Sequence, residues 1–359
     1  MMPAEPSASP SRSTRQKTIL LAALFVLIAA AGLFYVKWWP YYHKAFKAAA
    51  DHSIGASILA EHGSSASWAA AWDYAVVYFK AVWKAAVFGI LIGSLVQVML
   101  PAQWLLKVLG RTSFGSTLAG GAASLPGMMC SCCAAPIAVG LRQKQASVGA
   151  ALAFWLGNPT LNPAALIFMG FVLSWKFVLL RIVFGLLLVF GVSYWANRFA
   201  PEAELPKELR PQPANEPSAA FAESKQPLLL LWVKSASKMA LTLVPTYFVF
   251  VLLLGAVQVW LFPAGGFEGG NQLLFIAGFA IAGMLFVIPT AAEIPIVQSF
   301  MALGLGGGPA AALMFTLPAV SLPSLLMVSR SFPKKALLFV AGSVVGLGIL
   351  CGLTGLLIL

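Results

Sequence analysis

Charge is what this sequence has least of. Of its 359 residues, 9% are charged and 60% hydrophobic, and the mean hydropathy is +0.87; a soluble domain carries about a quarter charged residues. That scarcity excludes a soluble enzyme, a disordered scaffold and, despite a net charge of +12, a nucleic-acid-binding domain. Cysteine is also scarce, and four residues make no disulfide framework. No nucleotide-binding loop is present: the glycine-rich run Gly304 to Gly308 has no following Lys-Ser/Thr and no preceding strand, so it reads as a turn. The chain's own ATP hydrolysis is therefore excluded as a power source, and no cofactor is implied. What is present is a series of nearly uncharged stretches of eighteen or more residues, the length that crosses roughly 30 Å of hydrocarbon.

The pattern predicts an all-α polytopic membrane protein. Residues 1–17 form a polar, basic cytoplasmic tail, and 18–37 a first span ending at the aromatic belt Lys37-Trp38-Trp39-Pro40. Residues 38–80 are mixed and read as an external segment with an amphipathic helix on the membrane surface. Apolar segments follow at about 81–100, 114–141, 146–173 and 177–195, then at about 240–262, 273–300, 305–329 and 336–358. Between them 197–227, rich in Pro, Glu and Ala, reads as a cytoplasmic hydrophilic linker. The chain thus divides into a first membrane repeat, 81–196, and a second, 228–359. Pro136-Ile137 recurs as Pro295-Ile296, and at the same offset of 159 Gly149 falls on Gly308, Pro159 on Pro318 and Lys176 on Lys335. With the N-terminus inside, Lys107, Arg111, Arg142, Lys144, Arg330, Lys334 and Lys335 share the cytoplasmic face, while Lys80 and Lys84 oppose the rule. The expected architecture is two inverted-topology repeats with broken or re-entrant helices plus one extra N-terminal span.

Chemistry concentrates in two places. Three of the four cysteines, Cys130, Cys132 and Cys133, stand together between Pro126 and Pro136. The prolines mark a backbone break, and thiols are soft ligands, although a cysteine in a membrane helix also packs well. Cys130 and Cys133 share a helix face; Cys132 joins them only if the segment is unwound. The matching place in the second half holds Glu293 between Pro289 and Pro295. A carboxylate at membrane depth is a functional candidate by default and is expected to exchange protons. Asn158 and Gln298 are candidate pathway residues, though their amides equally satisfy carbonyls freed near prolines, and Pro159 and Pro318 mark further breaks. His43, His52 and His62 are spaced too widely to specify a metal site, and Cys351 reads as packing.

The run CSCCAAPIAVGLRQKQASVGAALAFWLGNP, from Cys130 to Pro159, resembles the signature region of the ArsP/YraQ-type permease family. The likeness extends in outline from about residue 75 to 359. It implies an inner-membrane permease rather than an enzyme, with a small-molecule or metalloid cargo such as a trivalent organoarsenical, and the lipid bilayer as its other partner. The family's cysteines fall on Cys130 and Cys132; this chain differs in carrying Cys133 where glycine is usual, and Met128-Met129 just before. A membrane thiol oxidoreductase using Cys130 and Cys133, a permease for an unrelated solute and a channel remain as alternative readings.

Overall fold

The computed structural model describes residues 12–59, 67–99, 102–199, 228–262 and 271–359. Among these, six helical segments are long and apolar enough to cross a membrane: Leu20–Asp51, Trp68–Met99, Trp175–Phe199, Leu229–Leu261, Gly307–Val328 and Lys334–Ile358. The protein is an all-α polytopic membrane protein.

The N-terminal helix α1 (Arg12–Leu33) runs through a π-helical turn, Phe34–Trp38, into α2 (Trp39–Asp51). The first span therefore does not stop at Lys37. Pro40 lacks the N–H that a continuous helix would direct back to Val36, and the π turn just before it absorbs the resulting change of register. Lys37 and Trp38 resemble an interfacial belt but find hydrogen-bond partners inside the bundle. The second span also begins earlier than residue 81. Helix α3 (Trp68–Met99) buries Ala71, Tyr74, Ala75, Tyr78 and Val82 along one stripe, so the amphipathic face of 68–80 packs on protein rather than on the membrane surface. The expected external segment 38–80 is thus taken up at both ends by helices continuous with spans. Residues 1–11 of the tail, His62 and most of the 197–227 linker lie outside the described residues.

The first half continues with α4 (Ala102–Leu109), α5 (Phe114–Ser124), α6 (Ser131–Gln143), α7 (Val148–Thr160), α8 (Pro163–Val172), α9 (Trp175–Leu186) and α10 (Ser193–Ala196). The second half holds α11 (Leu228–Leu261), α12 (Gln272–Leu285), α13 (Glu293–Ala302), α14 (Gly307–Ala319), α15 (Leu322–Val328) and α16 (Lys334–Ile358). The offset of 159 carries α7 onto the bounds of α14, and the starts of α8 and α9 onto those of α15 and α16.

Packing is reciprocal between the halves. Helix α3 lies along α11 and α7 touches α14; α6 packs on α15 as α13 packs on α8. Within each half, α5 lies against α7 and α12 against α14. Helices α3 and α6 approach so closely that a Cβ on Gly89 would stand 2.3 Å from the Cys133 carbonyl oxygen, and one on Gly93 2.7 Å from that of Pro136. Interhelical contacts also sort the ends of the bundle. At one end Arg142 of α6 bonds to the Ser331 carbonyl, Ser147 to Leu109, and Phe199 stacks near Phe339. At the other, Gln298 of α13 bonds to the His52 carbonyl, His52 to that of Phe171, and Lys176 to that of Ile358.

Candidate functional site

Both halves interrupt a helix in the bundle interior. In the first, α5 ends in a 3-10 turn, Leu125–Gly127; Met128 adopts a left-handed backbone (φ 48°) and Cys130 is extended before α6 starts. In the second, the chain from Phe286 to Ala292 is mostly non-helical, and Ala291 is left-handed (φ 68°). Left-handed non-glycine residues cost free energy and survive where the surroundings hold them. Pro126 and Pro289 lie in these breaks. Pro136 does not: it sits inside α6. Pro295 occupies the first turn of α13, where a missing N–H is harmless. Pro159 and Pro318 are the penultimate residues of α7 and α14, which stop there.

The breaks meet at a narrow recess lined by Met129 and Cys130 from the first, by Ile288 to Ala291 and Glu293 from the second, and by Pro159 and Pro318. Its enclosed space is on the order of one water molecule. Cys130 at the N-cap of α6 and Cys133 one turn on bring their Sγ atoms to 2.9 Å, both as free thiols. Cys132 points elsewhere. Its Sγ lies 3.5 Å from the Ser321 hydroxyl, beside the hydroxyl of Tyr247, which pairs with that of Tyr78. Tyr74 donates to the Val287 carbonyl and so anchors the second break to α3.

Glu293 is 1% exposed and forms an ion pair with Arg181 of α9 (Nη1 to Oε1, 2.6 Å). The same guanidinium donates to the carbonyls of Thr160 (3.0 Å) and Pro159 (2.7 Å). The second carboxylate oxygen, Oε2, is buried without a hydrogen-bond partner. The first span adds Lys37, whose ammonium donates to Thr290 Oγ1 (3.1 Å) and Tyr41 Oη (3.0 Å) and lies within electrostatic range of Cys130 and Cys133. The next residue, Trp38, donates to the Pro126 carbonyl at 2.8 Å. One peripheral helix thereby ties down both breaks.

Two candidates lie away from the recess. Gln298 is near the end of the bundle, bonded to the His52 carbonyl. Asn158 donates to the Phe154 carbonyl, and its Oδ1 lies against Gly127, with no room for a side chain there. Cys351 packs in α16 near the Ala311 carbonyl. Arg181 and Lys37 were the residues missed. Arg181 had a signal, as the lone charge within an otherwise apolar span.

A helical membrane bundle whose two interior breaks converge on a small recess, lined by a thiol and a buried carboxylate, fits a permease. Residues 79–355 match the model of a family described as a predicted permease. The chain is 50% identical over 333 residues to the Escherichia coli (strain K12) protein named UPF0718 protein YraQ, covering 92% of this chain and 93% of that one. It is 26% identical over 285 residues to the UPF0718 protein MJ0584 of Methanocaldococcus jannaschii, covering 62% and 77%. No solved structure matches the chain. The chain belongs to the ArsP/YraQ-type permease family, a family of transporters and not of enzymes.

Proposed function

We propose that this permease is a secondary efflux transporter of the cytoplasmic membrane for a soft, thiol-binding metalloid such as a trivalent organoarsenical. The observation that carries the reading is the Cys130–Cys133 thiol pair, 2.9 Å apart, whose Cys130 lines the same recess between the halves as Glu293. One soft centre can touch both sulfurs, and reversible thiolate exchange permits release. Cys132, held near Ser321, is a third donor once the α6 terminus loosens. Glu293 is the proton-exchange site: protonation releases Arg181 and weakens its grip between the halves. The hairpin of α5 and α6 dips from the end marked by Arg142, and that of α12 and α13 from the end marked by Gln298. We read this as an inverted-topology pair of repeats, the arrangement that supports alternating access around a midplane site.

In proteoliposomes, the Cys130→Ser/Cys133→Ser double variant should lose uptake of methylarsenite to the level of empty vesicles while remaining folded. Wild-type uptake in the triple variant that also carries Cys132→Ser would overturn the proposal. The sulfur separation also suits a thiol oxidoreductase, but both thiols are at most 4% exposed, poor access for an exchange partner. A reversible Cys130–Cys133 disulfide that passes electrons to quinone would favour that reading instead.

A further inference from the structure

The buried charged side chains among the described residues are Lys37, Arg142, Arg181 and Glu293. Arg181 and Glu293 neutralise one another. Arg142 sits in the last turn of α6, bonded to the carbonyls of Ala146 and Ser331 and lying over the Phe332 ring. Lys37 differs from these. It is 5% exposed, lies at the depth of the breaks, and has uncharged hydrogen-bond and ring partners: a phenol, a threonine hydroxyl and the face of the Tyr41 ring. The Cys130 and Cys133 thiols lie in electrostatic range, and once bound to a soft centre they are no longer available as its counter-ion. An ammonium has three N–H donors, and two are spent on these hydroxyls. A buried charge without an opposite charge is costly, and it persists where something that binds supplies the counter-charge. Lys44 lies within electrostatic range of Glu293 and adds to the positive balance around it.

We propose that Lys37 makes the recess selective for a soft-centred cargo that carries one negative charge, as a carboxylate or a similar acidic group. This rests on the thiol-cargo reading above. When an arsonous acid R–As(OH)2 condenses with the Cys130 and Cys133 thiols, two As–S bonds form and two As–OH bonds break. The thiol protons leave in two water molecules and arsenic stays trivalent. The resulting dithioarsenite centre is uncharged, so it leaves Lys37 uncompensated. An anionic group on R neutralises the ammonium; a cationic group adds to the imbalance.

The full-length protein in detergent tests this through protection of its cysteines from maleimide labelling. The probes are phenylarsine oxide, its 4-carboxy derivative and its 4-aminomethyl derivative. The carboxylate should protect at about tenfold lower concentration than the parent, and the ammonium should need about tenfold more, as expected for one charge pair partly shielded from water. Lys37→Met should compress the series to within about threefold, whereas Lys37→Arg should keep it. A merely structural lysine would not make protection depend on probe charge. Equal protection by all three probes in the wild type overturns the role of Lys37 while leaving the thiol-cargo reading standing; it would mean that a cysteine thiolate serves as the counter-ion. No protection by any probe overturns both. If Lys37→Met fails to fold, the wild-type series and Lys37→Arg still decide.

Discussion

At the junction of α7 and α8, Pro163 has no N–H to offer the Pro159 carbonyl, and the Ala164 amide bonds to the Asn162 side chain instead of to Thr160. Two carbonyls are thus left open in the bundle interior, and Arg181 donates to both while holding Glu293. Removing either partner leaves the other charge buried and unpaired, so Arg181→Gln or Glu293→Gln should each cost about 3–5 kcal/mol. The double substitution Arg181→Met/Glu293→Met should cost less than the two single losses added together, as read from thermal unfolding in detergent. The proposed coupling role of Glu293 has a separate readout. Glu293→Gln should keep arsenical protection of the cysteines but lose transport driven by a proton gradient. Unchanged dependence on the gradient would make Glu293 structural. Arg181 was visible as a single charge in an apolar stretch, but its partner was not, because 112 residues separate the two in the chain.

At the scale of elements, the breaks depend on how closely their neighbours approach. Gly89 and Gly93 let α3 lie directly against the backbone of α6, at Cys133 and Pro136. A side chain at Gly89 must displace the α6 terminus that sets the sulfur spacing. Gly89→Val should therefore lower the unfolding temperature and disturb thiol reactivity at Cys130, whereas Gly115→Ala, which meets open space, should change neither. Thiol-labelling kinetics and thermal unfolding check both. The prolines pointed to these breaks without giving their limits. Pro136 lies within α6, closely approached by Gly93 of α3, a contact that local sequence does not record.

For the whole molecule, the halves share a frame but not its chemistry. The offset of 159 that maps α7 onto α14 sets Cys133 against Ala292, Glu293 against Ala134 and Arg181 against Val340. Thiols and guanidinium come from the first half and the carboxylate from the second, so the site forms only where the two halves meet. The end contacts also make a topological prediction. Lys144→Cys and Lys335→Cys should be labelled from one side of the membrane by an impermeant maleimide, and Lys176→Cys from the other. Labelling of all three from the same side would contradict the inverted arrangement.

Read alone, the sequence determined the membrane class, the helical content and the family, because hydrophobic length, charge scarcity and the cysteine motif are local properties. It also marked both interrupted segments, since a proline's missing N–H is written in one residue. Only the tertiary structure decided that Arg181 pairs with Glu293, that Lys37 belongs to the interior rather than to an interfacial belt, and that Gln298 does not reach the recess. Each of these depends on which distant segments become neighbours. A buried charge is tolerated or not according to the partner that folding brings to it.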